Sequence, residues 1–324
     1  MTTAPLAAIV ATAITLPGGP PVGMDYLAYD PANDRVWVPA GNTGKVDVID
    51  AVTRQVRSID GLATAPSGRP GRPPMGPSSA TVGDGVVWVG NRADQHLYAF
   101  DARTLVARGS VPLPSMPDGL AYIPSTHELW VTTPRDGTIT VAKLGEPATP
   151  GPLATIKLDG EPEGYAVDDG RGLFYTNLED KDRTLAIAVK TRRVVASWPS
   201  HCGMEGPRGL AIDPVHQWLF VACTNGAVVL DLAHAHAGQP LGRITTGGGV
   251  DNLAYDATRR ALFVASGHDG NLIVARIDPR GAPQKVVTVP TAKGARNPVL
   301  DARGRAYVED AANGRLLIVE PTAD

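Results

Sequence analysis

The sequence is poor in cysteine, in aromatic residues and in long apolar runs. Its 324 residues include only two cysteines, which is too few for a scaffold built on disulfides. No apolar run reaches the roughly 18 residues that a membrane span needs, so we expect none. The net charge is −3 and aromatic residues make up 5% of the chain. Without a basic surface or many stacking side chains, we expect no nucleic-acid partner.

The N-terminal stretch is apolar but lacks one feature of export signals. It reads APLAAIVATAITLPGG over residues 4–19, and no lysine or arginine precedes Arg35. A secretory signal begins with a positively charged region. We therefore expect no export signal and a cytoplasmic location, and we assign this stretch a structural role below.

One unit recurs seven times along the chain. Neighbouring units start 40 to 45 residues apart, except that the second follows the first by 53. Each unit contains four β-like runs separated by glycine, proline and asparagine turns, and no helical periodicity is sustained. Periods of this length are typical of β-propellers. The units open at Asp25, Ser78, Asp118, Glu163, Arg208, Asp251 and Arg296, which we call the opening residues.

The pattern predicts an all-β, seven-bladed β-propeller that forms a single domain over residues 1–324. In the first unit, strands a to d are predicted at Tyr26–Tyr29, Arg35–Pro39, Lys45–Ile49 and Gln55–Ile59. The last unit ends after its strand c, whereas residues 10–18 form a strand with no unit of their own. Pairing the two would complete the last blade and close the ring.

Several phrases carry a resemblance to a known family. The first unit reads LAYDPANDRVWVPAGNTGKVDVID, and the later phrases are NLEDK (Asn177–Lys181), GLAIDPVHQWLFVAC (Gly209–Cys223), GGGVDNLAYD (Gly247–Asp256) and AKGARN (Ala292–Asn297). Together they resemble the YncE-like (YVTN-repeat) family of seven-bladed propellers over essentially the whole chain. The resemblance implies the fold but no particular reaction.

The opening residues are the first candidates for a functional site. Strand a of each blade lines the central channel, so these residues should face its upper end, the top, where the d–a and b–c loops also lie. Four of the seven are carboxylates and two are arginines. Such a ring can bind a divalent cation, supply an acid–base pair, or clamp an anion through its arginines. It can equally be a structural network of salt bridges.

The b–c loops add polar residues at the same rim, although turns favour many of them for conformational reasons alone. The segment NLEDK is more polar than a tight turn needs, and we predict that Glu179 and Lys181 contribute to the site, near His268. The other b–c loop candidates are Asn42, Asn91, Arg92, Arg135, Asn225, Asp269, Glu309 and Asp310.

The two cysteines lie at the top of the fifth unit, and the fold should bring them close together. Cys202 and Cys223 can form a disulfide in an oxidising compartment or remain two buried thiols. A third alternative is a soft-metal site made by His201, Cys202, Cys223 and His268, because thiolate and imidazole ligands suit zinc.

The long first step contains an insertion at the top rim. Residues 62–78 read LATAPSGRPGRPPMGPS and include Arg69 and Arg72. Irregular loops of this length are often lids or binding loops, and we predict one here, over the channel.

Two functions follow from these features. The first is binding of a small polar or anionic ligand, or of a partner segment, in the top central pocket; its candidate residues are Asp25, Asp118, Glu163, Arg208, Asp251, Arg296, Glu179 and Lys181. The alternative is a metal-assisted hydrolase, lactonase or lyase in the same pocket, with calcium, magnesium or zinc as a possible cofactor; its catalytic candidates are Asp25, Glu163, Asp251 and His268. We expect a monomer in either case.

Overall fold

The strands of this chain form seven four-stranded antiparallel sheets in a ring, in a computed structural model that describes residues 7–145, 150–203, 206–233 and 235–322. The prediction of an all-β, seven-bladed β-propeller is confirmed. No helix in these ranges has the length and apolar content that crossing a membrane requires. Short 3₁₀ turns lie at Gly41–Thr43, Pro134–Asp136, Asp169–Arg171 and Ala311–Asn313.

Each blade runs from its innermost strand a to its outermost strand d, and consecutive strands pair side by side. Blade 1 contains β2 (Ala28–Asp30), β3 (Arg35–Ala40), β4 (Lys45–Asp50) and β5 (Val56–Ile59). Blade 2 contains β6 (Pro77–Gly83), β7 (Val86–Asn91), β8 (His96–Asp101) and β9 (Ala107–Pro112). Blade 3 contains β10 (Leu120–Ile123), β11 (Glu128–Thr133), β12 (Thr138–Leu144) and β13 (Pro150–Lys157).

The later blades repeat this order. Blade 4 contains β14 (Pro162–Asp168), β15 (Leu173–Leu178), β16 (Arg183–Ala188) and β17 (Arg193–Pro199). Blade 5 contains β18 (Pro207–Asp213), β19 (Trp218–Cys223), β20 (Gly226–Asp231) and β21 (Pro240–Thr245). Blade 6 contains β22 (Leu253–Asp256), β23 (Ala261–Ser266), β24 (Asn271–Ile277) and β25 (Pro283–Pro290). Blade 7 contains β26 (Val299–Leu300), β27 (Ala306–Asp310), β28 (Arg315–Thr322) and, from the N-terminus, β1 (Ala7–Thr15).

The N-terminal strand closes the ring, as the sequence predicts. Strand β1 pairs antiparallel with β28, with Val10 opposite Glu320 and Thr15 opposite Arg315. The strand lies a few residues earlier than the predicted range 10–18. Its last ladder contact is the bond from the Leu16 backbone N–H to the Gly314 carbonyl, 2.9 Å long. Pro17 follows and has no N–H to donate, so the pairing stops there.

The core lies between neighbouring blades. The tryptophans of strand b in the first three blades, Trp37, Trp88 and Trp130, are completely buried. The Trp130 ring lies 4.9 Å, centroid to centroid, from the ring of Phe174 in the next blade. Burying such rings removes about 150–250 Å² of surface each from water, so the blade interfaces provide most of the hydrophobic stabilisation.

Glycines allow the inner strands to approach closely around the channel. A Cβ atom on Gly164 would lie 2.3 Å from the Cα atom of Gly209 in the next blade. A Cβ on Gly209 would in turn lie 2.0 Å from the Asn252 side-chain oxygen. A side chain at either position would push blades 4, 5 and 6 apart. These glycines therefore hold the opening residues that precede them close to the axis.

Asp47 on β4 is a buried carboxyl group that makes the stability of blade 1 pH-dependent. It is fully buried; its Oδ1 accepts a 2.6 Å hydrogen bond from Ser58 Oγ, and its Oδ2 has no partner. Burial raises the pKa of Asp47 to about 6, although Ser58 and Lys45 oppose the shift. Because the folded-state pKa exceeds the unfolded one, protonation stabilises the fold. This contribution is complete below pH 4 and is lost as the pH rises through 6.

We predict that the free energy of unfolding of Asp47→Asn minus that of the wild type increases by about 1–2 kcal/mol from pH 4 to pH 7.5, after allowance for solvent screening. Urea denaturation at both pH values measures the change. Asp50→Asn is the control of opposite sign, because hydrogen bonds from Thr53 lower the pKa of Asp50. If the difference between Asp47→Asn and the wild type does not depend on pH, Asp47 is ionised in the folded protein throughout.

Candidate functional site

Four of the opening residues meet at the top of the channel in a chain of alternating charges. The Nη2 atom of Arg92 lies 2.8 Å from Asp25 Oδ2 and also contacts Asp118 Oδ1. On its other side, Asp25 faces Arg296, whose Nη2 is 4.0 Å from Asp25 Oδ1. The Nε atom of Arg296 lies 3.3 Å from Asp251 Oδ2. The order around the ring is therefore Asp118, Arg92, Asp25, Arg296, Asp251, and each arginine bridges two carboxylates.

A second pair uses the same positions with the charges exchanged. Arg92 directly follows strand β7 and contacts Asp118, the opening residue of the next blade. Glu179 directly follows the equivalent strand β15 and contacts Arg208, the opening residue of its own next blade. The residue after strand b thus reaches the neighbouring strand a in both places. In the first pair the cation, Arg92, follows strand b. In the second pair the cation, Arg208, opens strand a.

Backbone groups fix the position of Arg296. The buried carboxylate of Glu309 accepts 3.0 Å hydrogen bonds from the backbone N–H groups of Arg296 and Asn297. The Asn297 side chain donates a 3.1 Å bond to Asp25 Oδ1. Burial raises the pKa of Glu309 to about 7, against the lowering effect of these hydrogen bonds. Blades 7 and 1 are therefore joined through polar contacts at the top as well as by β1.

Glu163 is the opening residue that the network leaves unpaired. Among the described residues, none forms a hydrogen bond or ion pair with its carboxyl group, and the nearest opposing charge is that of Arg208. Burial raises the pKa of Glu163 well above 4.5, and the charges of Asp118, Asp251 and Asp25 add to this shift. Its environment therefore favours the neutral form, which is able to donate a proton or a hydrogen bond.

Asp25 is the second carboxyl group with a shifted pKa. Burial raises its pKa to about 6, the Arg92 guanidinium opposes the shift, and Asp251 and Asp118 reinforce it. Since Arg92 and Arg296 both lie beside Asp25, its ionised form has counter-charges that Glu163 lacks. The two carboxyl groups thus have different environments, one beside counter-charges and one without a partner among the described residues, and acid–base pairs use such a difference.

Two tyrosines lie across the channel beneath these groups. The rings of Tyr26 from blade 1 and Tyr165 from blade 4 stack with their centroids 6.1 Å apart. A Cβ on Gly119 would lie 2.8 Å from the Tyr165 ring, so the absence of a side chain there makes room for the stack. Both tyrosines line a separate cavity of about 300 Å³.

The central cavity has a volume of about 520 Å³. Such a volume lies within the usual range of small-molecule sites. Its lining comes from the insertion loop, from b–c loops and from opening residues. The charged lining residues are Arg69, Arg72, Arg92, Arg135, Arg296, Asp118, Glu161, Glu163 and Glu179. Asp25 lines an adjoining cavity of about 170 Å³, together with Ser78, Arg92 and Arg296.

The insertion loop is held in place over this cavity. Ala65 and Met75 form a pair of backbone hydrogen bonds 3.0 and 2.7 Å long, which close the loop on itself. The Asn91 side chain donates a 3.0 Å bond to the Ala63 carbonyl, and the Arg92 backbone N–H donates to the Gly76 carbonyl. The loop is thus anchored to the strand end that carries Arg92.

Three guanidinium groups at the entrance have no partner in the described part of the chain. Arg69 and Arg72 lie on the insertion loop, Arg135 lies on the b–c loop of blade 3, and all three are exposed. We call them the rim arginines. None of the three side chains forms a hydrogen bond or a salt bridge with any residue in the described ranges. The cavity therefore has free positive charge at its entrance and carboxyl groups at its base.

Of the residues predicted for the site, Asp118, Glu163, Glu179 and Arg296 line this cavity, and Asp25 lines the adjoining one. Arg208 and Asp251 reach the site through their contacts with Glu179 and Arg296, whereas Lys181 and His268 lie away from it. The Nζ atom of Lys181 lies 2.8 Å from Asp159 Oδ1, and Lys181 lines a separate groove. His268 is exposed and packs against the backbone of Gly248 and Gly249. Of the segment NLEDK, only Glu179 reaches the cavity, because the chain turns away from the axis immediately after it.

The two cysteines form a disulfide, with their Cα atoms 5.2 Å apart. Both are buried, and the bond joins the loop before β18 to the end of β19. Paired sulfurs provide no thiolate, so the soft-metal alternative loses two of its four ligands. His201 Nε2 lies 3.3 Å from the Gly238 carbonyl instead.

The described residues contain no group of three or more histidine, cysteine, aspartate or glutamate side chains placed to hold one metal ion. At the channel mouth the reason is plain, because guanidinium groups lie between the carboxylates. The donor set thus fits neither the predicted calcium or magnesium site nor the zinc site.

Comparisons with known proteins identify the fold alone. No family model and no curated protein matches this chain, so the YncE-like resemblance is not confirmed. A chain of the mitotic checkpoint complex has a TM-score of 0.78 at 14% identity, over 97% of this chain and 91% of that one. A streptogramin B lyase has a TM-score of 0.75 at 10% identity, over 96% and 98%. Virginiamycin B lyase from Staphylococcus aureus has a TM-score of 0.74 at 10% identity, over 97% and 99%.

We predict that Arg92→Gln destabilises the protein by about 2–3 kcal/mol at pH 7.5, because Asp25 and Asp118 lose their shared counter-charge in a partly buried position. The loss should be smaller at pH 5, where the carboxyl groups accept protons at lower cost. Urea denaturation at both pH values measures it. Arg57→Gln, on exposed β5, should stay within about 0.5 kcal/mol of the wild type. An equally small effect of Arg92→Gln would mean that the network contributes little to stability.

Proposed function

We propose that this protein binds a small anionic ligand in the central cavity. The observation that carries the proposal is the set of rim arginines, three exposed guanidinium groups that line the central cavity and have no partner among the described residues. Guanidinium groups bind carboxylates and phosphates through paired hydrogen bonds. The cavity volume suits a small molecule better than a folded partner segment.

The disulfide indicates the kind of cellular compartment in which the protein would meet such a ligand. Disulfides persist in oxidising compartments and are rare in the cytosol. The Cys202–Cys223 bond therefore argues for an oxidising compartment, against the cytoplasmic location that the N-terminal sequence predicts. We include this compartment in the proposal.

We predict that small carboxylates and phosphates raise the melting temperature of the wild-type protein in a thermal-shift panel, since a ligand that binds only the native state stabilises it. The double variant Arg72→Gln/Arg135→Gln should lose at least about tenfold in affinity for the best anion. Arg57→Gln, which removes an exposed arginine far from the cavity, is the matched control. If the double variant binds every active anion as tightly as Arg57→Gln does, the rim arginines are not the site.

Acid–base catalysis in the same cavity is a second candidate. It is favoured by two carboxyl groups with raised pKa values, Glu163 in the central cavity and Asp25 in the adjoining one, whose charges act on each other. A protonated Glu163 would act as the general acid and an ionised Asp25 as the base. Two of the structures compared above, which share the fold, are lyases.

For this candidate, we predict that the protein opens lactones or cleaves esters in a pH-stat assay, and that Glu163→Gln lowers the rate by about 100-fold or more. Asp159→Asn is the control, because Asp159 is fully exposed and lies outside the cavity. If Glu163→Gln reacts as fast as the wild type, Glu163 is not the general acid.

A further inference from the structure

The base of the central cavity holds more negative charge than the chain neutralises. Four opening residues are carboxylic acids: Asp118 and Glu163 line this cavity, Asp25 lines the adjoining one, and Asp251 contacts Arg296. Only Arg92 and Arg296 lie between them, and each is already shared by two carboxylates. Arg208 is held by Glu179 on the other side. One carboxyl group in the base is therefore left without a counter-charge.

One oxygen of Asp118 and the carboxyl group of Glu163 also lack hydrogen-bond partners among the described residues. Asp118 is 8% exposed, and its Oδ2 is buried without a partner while its Oδ1 contacts Arg92. Glu163, which lines the same cavity, has neither a hydrogen bond nor an ion pair. A buried carboxylate oxygen without a donor destabilises the protein, because it has lost its hydration without gaining a hydrogen bond. A ligand that brings donors to these two residues would recover that energy.

We infer that the ligand is a small zwitterion, with an ammonium group between Glu163 and Asp118 and an anionic group at the rim arginines. The inference rests on the proposed function and adds the second half of the ligand. It follows from where the unpartnered groups lie, with carboxyl oxygens at the base of the cavity and guanidinium groups at its entrance.

An ammonium group fits the base better than a metal ion or a hydroxyl group does. It is a compact charge with three donors, so a single group serves two carboxyl groups at once. A metal ion needs several converging oxygen ligands, whereas here the guanidinium groups separate the carboxylates. A hydroxyl group supplies hydrogen bonds but leaves the excess negative charge in place.

Ammonium binding would also change the ionisation of Glu163. The charged groups that face it are Asp118, Asp251, Asp25 and Arg208, and burial together with the three carboxylates raises the pKa of Glu163 well above 4.5. A bound ammonium group adds a positive charge beside it and favours the ionised form. Binding at pH 7 should therefore release a proton from Glu163, and a ligand without the ammonium group should not cause this release.

The test is isothermal titration calorimetry with 3-aminopropanoate, 4-aminobutanoate and 6-aminohexanoate, compared with butylamine and butanoate. Titrations at pH 7 in two buffers of different ionisation enthalpy count the protons released. We expect the best amino acid to bind at least about tenfold tighter than either single-charge probe, as one added ion pair in a partly buried site allows. We also expect release of between half and one proton.

Glu163→Gln should abolish the proton release and lower the affinity for the amino acid by about tenfold, while the affinity for butanoate stays unchanged. Asp159→Asn should behave like the wild type. Thermal unfolding of both variants establishes that they are folded.

The possible outcomes distinguish a failure of the ammonium site from a failure of the anion site. If butanoate binds as tightly as the amino acids, or if proton release persists in Glu163→Gln, the ammonium site is wrong and the anion site stands. If none of the amino acids binds, the inference is overturned, and the anion panel on the rim variants decides the proposed function by itself.

Discussion

The pairing of buried carboxylates with guanidinium groups from neighbouring blades is the constraint on which the upper channel depends. A propeller brings seven inner strands to one axis, so any charge that opens a strand is forced close to the others. Three aspartates at this position would repel one another in a poorly hydrated space. Arg92 and Arg296 make the arrangement stable because each lies between two of the carboxylates. Closure by β1 keeps Asp25 and Arg296, from the first and last blades, within reach.

Much of this architecture could be predicted from the sequence because it follows from a period. Seven units with four β-like runs predict seven blades, and an unpaired N-terminal strand beside an incomplete last unit predicts the closure. The opening residues are found by the same alignment, since equivalent positions in a repeat occupy equivalent positions in space. Asp25, Asp118, Asp251 and Arg296 do lie together, as that reasoning requires.

The role of Arg92 is harder to predict, because a polar residue in the turn after strand b is expected for conformational reasons alone. A residue after strand b is placed by loop geometry, which favours polar side chains for several reasons. A signal is nevertheless present. Arg92 precedes a unit that opens with Asp118, and Glu179 precedes a unit that opens with Arg208, so opposite charges recur at the same two positions. Comparing the two positions together, instead of each alone, would have identified both pairs.

Lys181 and His268 lie away from the central cavity for a related reason. Repeat alignment places a loop at the rim but does not decide whether a side chain points inward. Only Asp180 separates Lys181 from Glu179, yet the Lys181 ammonium group contacts Asp159 outside the cavity. His268 packs against glycine backbone for the same kind of local reason. Side-chain direction in a tight turn depends on one or two dihedral angles, and the sequence pattern does not encode these.

The uneven distribution of charge along the cavity is what connects the fold to a function. Burial and the neighbouring carboxylates raise the pKa of Glu163, which favours its neutral form and limits the repulsion among the carboxylates. At the entrance, the rim arginines are exposed, so the charge there costs little to maintain. A stability requirement accounts for the paired groups, each of which has a counter-charge. Among the described residues it accounts neither for the three unpaired guanidinium groups that line the cavity nor for the unpaired carboxyl group of Glu163, and these are the groups that the proposed ligand would complete.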